Sequence, residues 1–262
     1  MPGPLITLTT DFGSGSTYVA QLKGVLLSRL PTARIVDVSH DLAAHDIGTA
    51  ELHLRGTAFA FPLGTTHLVV VDPGVGTTRR PIAVTARGMT FVGPDNGVLG
   101  VALAQGQARC VHIDKPDLFR YPVSTTFHGR DIFAPVAAEL AAGLTLDDVG
   151  TELGDPIPST LPTPRVDGDR IVGESLGADR FGNLLTNLNA AVVGAELGPY
   201  TTQVAGDAVA RSETYGAAAQ GALMVLEGSD GYLEVAVREG SAAERLGADR
   251  GVIVECRRDG SR

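Results

Sequence analysis

The sequence predicts an α/β N-terminal domain with a central, mostly parallel sheet, followed by a smaller, all-β, barrel-like C-terminal domain. In the first 150 residues, short β-rich runs alternate with segments of helical periodicity, a pattern typical of a parallel sheet covered by helices. Beyond residue 160, short alternating runs recur with almost no helical period, as in small barrels and sandwiches. We therefore expect domains at residues 1–160 and 161–262.

Three β-rich runs open the first domain. They are LITLTT (5–10), ARIVDVS (33–39) and HLVVVD (67–72). The third run is apolar without alternation, which indicates a strand buried on both faces. The runs PIAVTA, MTFVG and ARCVHI follow as further strands.

Helices are predicted between these runs by the spacing of their apolar residues. The predicted helices are YVAQLKGVLLSRL (18–30), DIGTAELHLRGTAFA (46–60) and DIFAPVAAELAAG (131–143). Asp46 is the expected N-cap of the second helix, and Gly143 is expected to end the third.

The proline-rich stretch 154–169 is expected to be a linker between the domains. After it, the β-rich runs RIVGESL, NLLTNL, TTQVAG, ALMVLE, YLEVAV and GVIVEC build the second domain. Only SAAERLG (241–247) suggests a short helix there.

Composition limits the partners of this protein. The formal net charge of −9 argues against a nucleic-acid backbone or an anionic membrane as partner. The amino-terminal segment predicts no signal peptide, and the absence of an apolar run near 18 residues predicts no membrane span. The two cysteines, Cys110 and Cys256, form no CxxC pair, so neither a disulfide framework nor a zinc site follows. A cytoplasmic protein is the expectation.

Two aspartates, Asp11 and Asp72, follow predicted strands at the sheet edge where α/β proteins bind ligands. A G-x-G begins two residues after each aspartate, but the third glycine of a dinucleotide-binding loop is missing. A carboxylate at this position suits a ribose diol or a water molecule better than a phosphate. The alternative is that both aspartates are turn residues that bond their own backbone.

The segment TFHGRD places His128, Arg130 and Asp131 at the start of a predicted helix. The positive end of the helix dipole would lower the pKa of His128, so a neutral imidazole could accept a hydrogen bond from water. The alternative is a capping segment, in which Asp131 serves the helix and His128 is merely packed.

Two further segments are rich in polar side chains. The histidines and aspartates of SHDLAAHD (39–46) allow a metal site, but their spacing fits no zinc motif and favours a solvated loop. In ADRFGNLLTN (178–187), a hairpin turn would explain Gly182 and Asn183. It would not obviously require Asp179 and Phe181, which offer hydrogen bonds and a stacking face.

Taken in order, TTDFG, VVDPGVGTTR, TFHGRDIFAP and DRFGNLLTN resemble motifs of the S-adenosyl-L-methionine (SAM) hydroxide adenosyltransferases. These adenosine-forming SAM hydrolases are relatives of the fluorinase and the chlorinase. The resemblance covers nearly the whole chain. It implies SAM as the substrate rather than a cofactor, adenosine as a product, and no metal. It also implies a homotrimer, with SAM between one subunit's N-terminal domain and the next subunit's C-terminal domain.

The resemblance also implies roles for single residues. The implied substrate-binding residues are Asp11 for the ribose hydroxyls, Asp179 and Ser229 for the methionine amino end, Asn183 for the adenine edge, and Phe127 and Phe181 as aromatic walls. The family's catalytic trio falls on Asp72, Arg79 and His128. Asp72 and His128 would orient a water molecule and receive its proton, while Arg79 would stabilise developing hydroxide. Which side chain takes the proton stays open at this point.

Departures from the halogenases favour water as the nucleophile. Asp72 stands where the fluorinase has a tyrosine, and Val75 and Gly129 replace its halide-contacting threonine and serine. A neighbouring carboxylate repels a halide, whereas it can orient a water molecule. Asp230 and Val237 stand where the halogenases have arginines, so the methionine and adenine pockets differ as well. The alternatives are a SAM-dependent halogenase and a sensor that binds SAM or adenosine without turnover.

Overall fold

The computed structural model describes residues 3–260 of the chain. The chain divides into two compact units, residues 1–160 and 161–262. Within the described residues, no helix is long and apolar enough to cross a membrane.

A seven-stranded sheet forms the centre of the first unit. Its strands are β1 (Leu5–Thr10), β2 (Arg34–Ser39), β3 (Thr66–Val70), β4 (Pro81–Ala86), β5 (Met89–Pro94), β6 (Arg109–Ile113) and β7 (Gly150–Glu152), in the spatial order β2-β1-β3-β5-β4-β6-β7. The pairs β1–β2, β1–β3 and β3–β5 are parallel, and β6 runs in the same direction. β4 and β7 run against the others. The predicted mostly parallel sheet is confirmed.

The antiparallel β4–β5 pair is a hairpin with a two-residue turn. Arg87 and Gly88, the turn residues, have φ values of 50° and 74°. Two consecutive positive φ values match the right-handed twist of the strands that they join.

The helices of the first unit cover both faces of the sheet. They are α1 (Thr17–Arg29), α2 (Ile47–Thr57), α3 (Gly100–Leu103), α4 (Ala134–Ala142) and α5 (Leu146–Val149). One core packs α1 and α4 against Leu68 and Val70, and a second packs α2 against Val69 and Val71. Neighbouring residues of β3 therefore face opposite cores, and the expected burial of this strand on both faces is confirmed.

Two predicted helix ends are confirmed, and one helix differs from its expectation. Asp46 caps α2 by accepting a hydrogen bond of 2.9 Å from the Thr49 amide, and Gly143 ends α4 with a φ of 118°. The third predicted helix instead opens with a wide π-helical turn, Gly129–Phe133, before the regular helix α4. Helical backbone thus begins at His128, whose φ of −61° and ψ of −26° are already helical.

The second unit is an antiparallel, barrel-like sheet, as expected. Its strands are β8 (Arg165–Asp167), β9 (Arg170–Ala178), β10 (Leu184–Asn189), β11 (Tyr200–Val204), β12 (Asp207–Val209), β13 (Leu223–Glu227), β14 (Tyr232–Val237) and β15 (Arg250–Arg258), in the order β12-β11-β15-β9-β10-β14-β13 with β8 beside β9. Just beyond β12, Ala210 and Ser212 exchange backbone hydrogen bonds with Val225 of β13. These bonds join the two ends of the sheet and nearly close it.

Two expectations about the second unit are wrong. The last part of the predicted linker forms β8, because Gly168 (φ of 63°) allows a tight turn into β9. The second error is a missed helix, α6 (Ala190–Leu197), which Asn189 caps through the Val192 amide. Its adjacent valines and internal glycine obscure the helical period in the sequence. The expected short helix is confirmed as α7 (Ala242–Leu246).

Candidate active site

A cleft of about 300 Å³ opens where β1 and β3 end. The lining residues are Asp11, Phe12, Tyr18, Ala44, His45, Val70, Asp72, Val75, Thr126, Phe127, His128 and Gly129. Four of the side chains singled out in the sequence, namely Asp11, Asp72, Phe127 and His128, therefore line one cleft. This is the sheet edge at which α/β proteins bind ligands.

Asp72, Arg79 and His128 form a hydrogen-bonded chain. Arg79 grips both carboxylate oxygens of Asp72, with Nε 2.9 Å from Oδ1 and Nη2 in contact with Oδ2. The same Nη2 lies 3.2 Å from Nδ1 of His128. Only 6% of the Asp72 side chain and 7% of the Arg79 side chain are exposed, so this ion pair is scarcely screened by solvent.

Arg79 lies behind Asp72 rather than on the cleft surface. It is not among the residues that line the cleft, and its guanidinium sits 5.1 Å from the ring centre of Phe133. Its remaining nitrogen, Nη1, is buried and meets no acceptor within residues 3–260. The arginine therefore holds the carboxylate in place and balances its charge from the core side.

The tight loop 72–79 brings Arg79 back to Asp72. Gly76 has a φ of 76°, and a side chain there would collide with the carbonyl oxygen of Thr125. A Cβ on Gly74 would lie only 3.3 Å from the Cβ of Arg79. The two glycines of this loop therefore serve close backbone packing beside the cleft, and not a phosphate.

The bond to Arg79 determines which nitrogen of neutral His128 holds the proton. A guanidinium only donates hydrogen bonds, so Nδ1 of His128 must accept one, and the proton of the neutral ring is on Nε2. Burial, followed by the positive charge of Arg79, lowers the pKa of His128. The direction agrees with the expectation, and its causes are burial and the charge of Arg79.

Asp131 does not cap a helix. Its carboxylate is fully buried and accepts hydrogen bonds from the Ser124 amide (2.9 Å), Arg120 (3.2 Å) and Arg130 (2.7 Å). Burial raises the pKa of this carboxyl, but Arg130, the Ser124 amide and Arg120 together hold the pKa below its usual range. Asp131 therefore stabilises the loop that precedes His128 and does not cap the helix.

The other wall of the cleft is aromatic. Phe12, Tyr18 and Phe127 contact each other, with ring centres 5.0 to 5.8 Å apart. Phe127 was predicted from the sequence, whereas Phe12 and Tyr18 were not, although Tyr18 stands three residues after the second glycine of the first G-x-G. Asp11 also lines the cleft, and its Oδ2 accepts the His45 amide at 2.8 Å, which holds the carboxylate in place.

The histidines and aspartates of residues 39–46 have separate structural tasks. His40 is buried rather than solvated, with Nδ1 2.8 Å from the Thr10 hydroxyl. Asp41 accepts the Ser14 amide, and Asp46 caps α2. Across residues 3–260, no three histidine, cysteine or acidic side chains converge as the ligands of a metal would.

Val75 and Gly129 line the cleft and present no hydroxyl to it. A Cβ on Gly129 would lie 3.2 Å from a methyl group of Val70 and 3.3 Å from the ring of Phe127. A side chain at Gly129 would therefore be tightly packed, because Val70 and Phe127 would have to shift by a few tenths of an ångström.

A second cavity, of about 620 Å³, lies within the second unit. The lining residues are Asp179, Phe181, Asn183, Tyr215, Ser229, Glu234, Val237, Arg238, Glu239 and Gly240. All four residues that the sequence analysis selected from this unit, namely Asp179, Phe181, Asn183 and Ser229, are among them. Phe181 is 78% exposed, so its ring face is open to a ligand.

Asp179 closes the hairpin turn between β9 and β10. Its Oδ1 accepts the amides of Phe181 (2.8 Å) and Asn183 (2.9 Å), and its Oδ2 accepts the Asn183 side chain (3.0 Å). The turn therefore does require the aspartate, contrary to the expectation from the sequence. Gly182 has a φ of 81°, and a side chain there would collide with Ser241.

Sequence reasoning missed Tyr215 and Glu234. The Tyr215 hydroxyl donates a hydrogen bond of 2.7 Å to Oε2 of Glu234. Burial raises the pKa of the Glu234 carboxyl, and the charges of Asp179 and Asp230 add to that effect. In the strand YLEVAV, Glu234 lies on the face opposite to the core residues Leu233 and Val235, and the sequence alone did not show that this second face is covered as well.

Comparison with known families covers both units. Residues 6–150 match the model of the SAM hydroxide adenosyltransferase N-terminal domain, and residues 173–255 match that of the C-terminal domain.

Individual relatives agree with this match. A protein of Salinispora tropica named (R)-S-adenosyl-L-methionine hydrolase is 41% identical over 95% of this chain and 96% of its own. A Thermus thermophilus protein of the same name is 40% identical over 94% and 96%. A fluorinase of Nocardia brasiliensis is 28% identical over 71% of each chain. The crystal structure of an uncharacterized conserved protein from Thermotoga maritima superposes with a TM-score of 0.88 at 36% identity, covering 97% of this chain and all of the other. The chain therefore belongs to the SAM hydroxide adenosyltransferase family.

Proposed function

We propose that this protein hydrolyses SAM to adenosine and L-methionine, by attack of water or hydroxide at C5′ of the ribose. The observation that carries the proposal is a buried Asp72–Arg79 pair whose carboxylate faces the cleft beside Val75 and Gly129, two positions that offer no hydroxyl to a halide. Relatives named (R)-SAM hydrolase, about 40% identical over most of the chain, support the same activity.

The proposed reaction is a single in-line displacement. A C5′–O bond forms while the C5′–S bond breaks, and the sulfonium leaves with the electron pair as a neutral thioether. No general acid is therefore needed for the leaving group. The demanding step is to activate water, whose pKa in bulk is about 15.7.

Asp72 is the proposed acceptor of the water proton. Neutral His128 has its proton on Nε2, so it donates a hydrogen bond to the attacking oxygen instead of receiving the proton. Arg79 acts as a positioning residue, because it holds Asp72 without reaching the cleft surface. Bound SAM would exclude bulk water from the cleft and so strengthen these hydrogen bonds. A dry site would also favour the reaction itself, because the charges of hydroxide and sulfonium neutralise each other as the bonds change.

The cavity of the second unit is proposed to bind the remainder of SAM, with Asn183 at the adenine edge, Phe181 against the ring, and Asp179 and Ser229 near the methionine amino end.

The family resemblance further implies that each SAM contacts two subunits of a homotrimer. We expect light scattering to give about three times the monomer mass of 27.1 kDa. A monomeric protein with full activity would contradict the shared site.

An assay of end products tests the activity directly. Incubation with SAM, EDTA and no halide should yield adenosine and methionine in equal amounts. In ¹⁸O-labelled water, the label should enter the 5′-hydroxyl of adenosine, because water attacks carbon and not sulfur. Absence of adenosine, or its loss with EDTA, would refute metal-free hydrolysis.

The same assay separates the alternatives. Formation of 5′-chloro- or 5′-fluoro-5′-deoxyadenosine in the presence of halide would identify a halogenase, the activity named for relatives at 28% identity. Tight SAM binding without product over several hours would identify a sensor. We expect neither outcome, because Asp72 opposes a halide and faces the cleft.

A further inference from the structure

Glu234 on β14 is a carboxylate fixed within the cavity of the second unit. Its side chain lines the cavity, yet only 7% of the residue is exposed. The Tyr215 hydroxyl holds Oε2 at 2.7 Å. On the other side lies Gly228, where any side chain would collide with Oε1. Tyr215 therefore holds the carboxylate in the space that the missing side chain of Gly228 leaves.

Glu234 has more free hydrogen-bonding capacity than Asp179. A carboxylate offers about four lone-pair positions. Three positions of Asp179 are used within its own hairpin turn, by Phe181 and Asn183. Glu234 receives only Tyr215 on Oε2, and no donor within residues 3–260 reaches Oε1. Of the two carboxylates, Glu234 is the one with room for a cation that donates several hydrogen bonds.

The surrounding charges favour a cationic group at this position. Asp179 and Asp230 both raise the pKa of the Glu234 carboxyl by charge repulsion, in addition to the effect of burial. A bound cation relieves that repulsion and stabilises the ionised form. Arg238 lines the same cavity, held by the carbonyl oxygens of Gly216 (3.1 Å) and Ala218 (2.6 Å). A carboxylate acceptor and a guanidinium in one cavity match a zwitterionic amino acid.

We propose that Glu234 accepts the ammonium group of the amino-acid end of the substrate, and that Tyr215 is the positioning residue that aims it. This inference rests on SAM being the substrate. It assigns recognition of the cationic end to Glu234 in addition to, and ahead of, Asp179.

Two ligands separate this role from a general effect on the cavity. S-adenosyl-L-homocysteine contains the ammonium group, whereas 5′-methylthioadenosine has the same nucleoside and thioether without the amino acid. Calorimetry should show that Glu234→Gln weakens S-adenosyl-L-homocysteine about 10- to 100-fold, the scale of a hydrogen bond between charged groups. The affinity for 5′-methylthioadenosine should change less than about threefold.

Controls make the outcome decisive. Glu227→Gln alters an exposed carboxylate on the neighbouring strand β13 and should bind both ligands as wild type does. Tyr215→Phe keeps the ring and should weaken the binding of S-adenosyl-L-homocysteine alone, by several fold. This variant tests the role of Glu234 if Glu234→Gln does not fold. Unchanged binding by the folded variants, or equal loss for both ligands, would overturn the role of Glu234. A wild type that binds these ligands but forms no adenosine would refute the proposed function instead.

Discussion

Replacing Asp72 by alanine or asparagine is expected to lower kcat/KM for SAM at least about a hundredfold, the scale typical of general bases and electrostatic groups. Asparagine has nearly the same shape but cannot take a proton from water. Initial rates of adenosine formation at saturating and limiting SAM would measure the effect. Because the loss concerns the reaction step, it should appear mainly in kcat.

A matched variant separates chemistry from stability. Removing Asp72 leaves Arg79 buried without its counter-ion, which costs about 3–5 kcal/mol in comparable pairs. Asp95 is a similarly buried carboxylate, paired with Arg80 at 2.6 Å outside the cleft. Asp95→Asn should therefore lose thermal stability while its folded fraction keeps a near-normal kcat. If both variants lose kcat equally, Asp72 acts only through the fold.

Replacing His128 by alanine is expected to cost about a hundredfold as well, because the attacking oxygen loses its hydrogen-bond donor and Arg79 loses an acceptor. Glutamine can provide both an acceptor and a donor, so His128→Gln should recover part of the rate. Recovery by glutamine is a result that a purely packing role would not give. A near-normal rate for His128→Ala would remove this residue from the mechanism.

The pH profile provides a second measurement on His128. Burial and Arg79 lower the pKa of His128 below the ordinary 6.5. The neutral ring is the active form, so activity should persist at pH 6.5 and fall only as the pH drops through the lowered value. This acid limb of kcat/KM should disappear in His128→Gln. If the acid limb is unchanged in His128→Gln, it reports the titration of another side chain and not of His128.

Much of the first unit could be predicted because local patterns and burial agree there. The apolar run of β3 indicated a strand between two cores, and carboxylates after β1 and β3 indicated the ligand edge of the sheet. The position of Arg79 could not be predicted in the same way. Whether an arginine seven residues after Asp72 faces the cleft or the core depends on the path of loop 72–79, which Gly76 and the distant Thr125 determine together.

The second unit was harder to predict because its site depends on contacts between strands. The Tyr215–Glu234 bond joins residues 19 positions apart through the arrangement of the barrel-like sheet. The turn at Asp179 was misjudged for the opposite reason. Its carboxylate accepts an amide of its own hairpin turn, whereas the sequence suggested that the turn did not need this carboxylate. In the first case the residue types were visible but their tertiary pairing was not, and in the second the partners are amides two and four residues along the chain.

The close packing of Gly129 limits how the nucleophile specificity of this cleft could be redesigned. A serine there could offer the hydroxyl that a halide needs. Its Cβ would press on Val70 of β3 and on Phe127, and would touch Leu22 of α1 at 3.5 Å. Val70 and Leu22 belong to the core that joins the helices to the sheet. Introducing a halide donor at this position therefore requires Val70 and Phe127 to shift by a few tenths of an ångström, and a smaller residue at position 70 would relieve one of these two contacts.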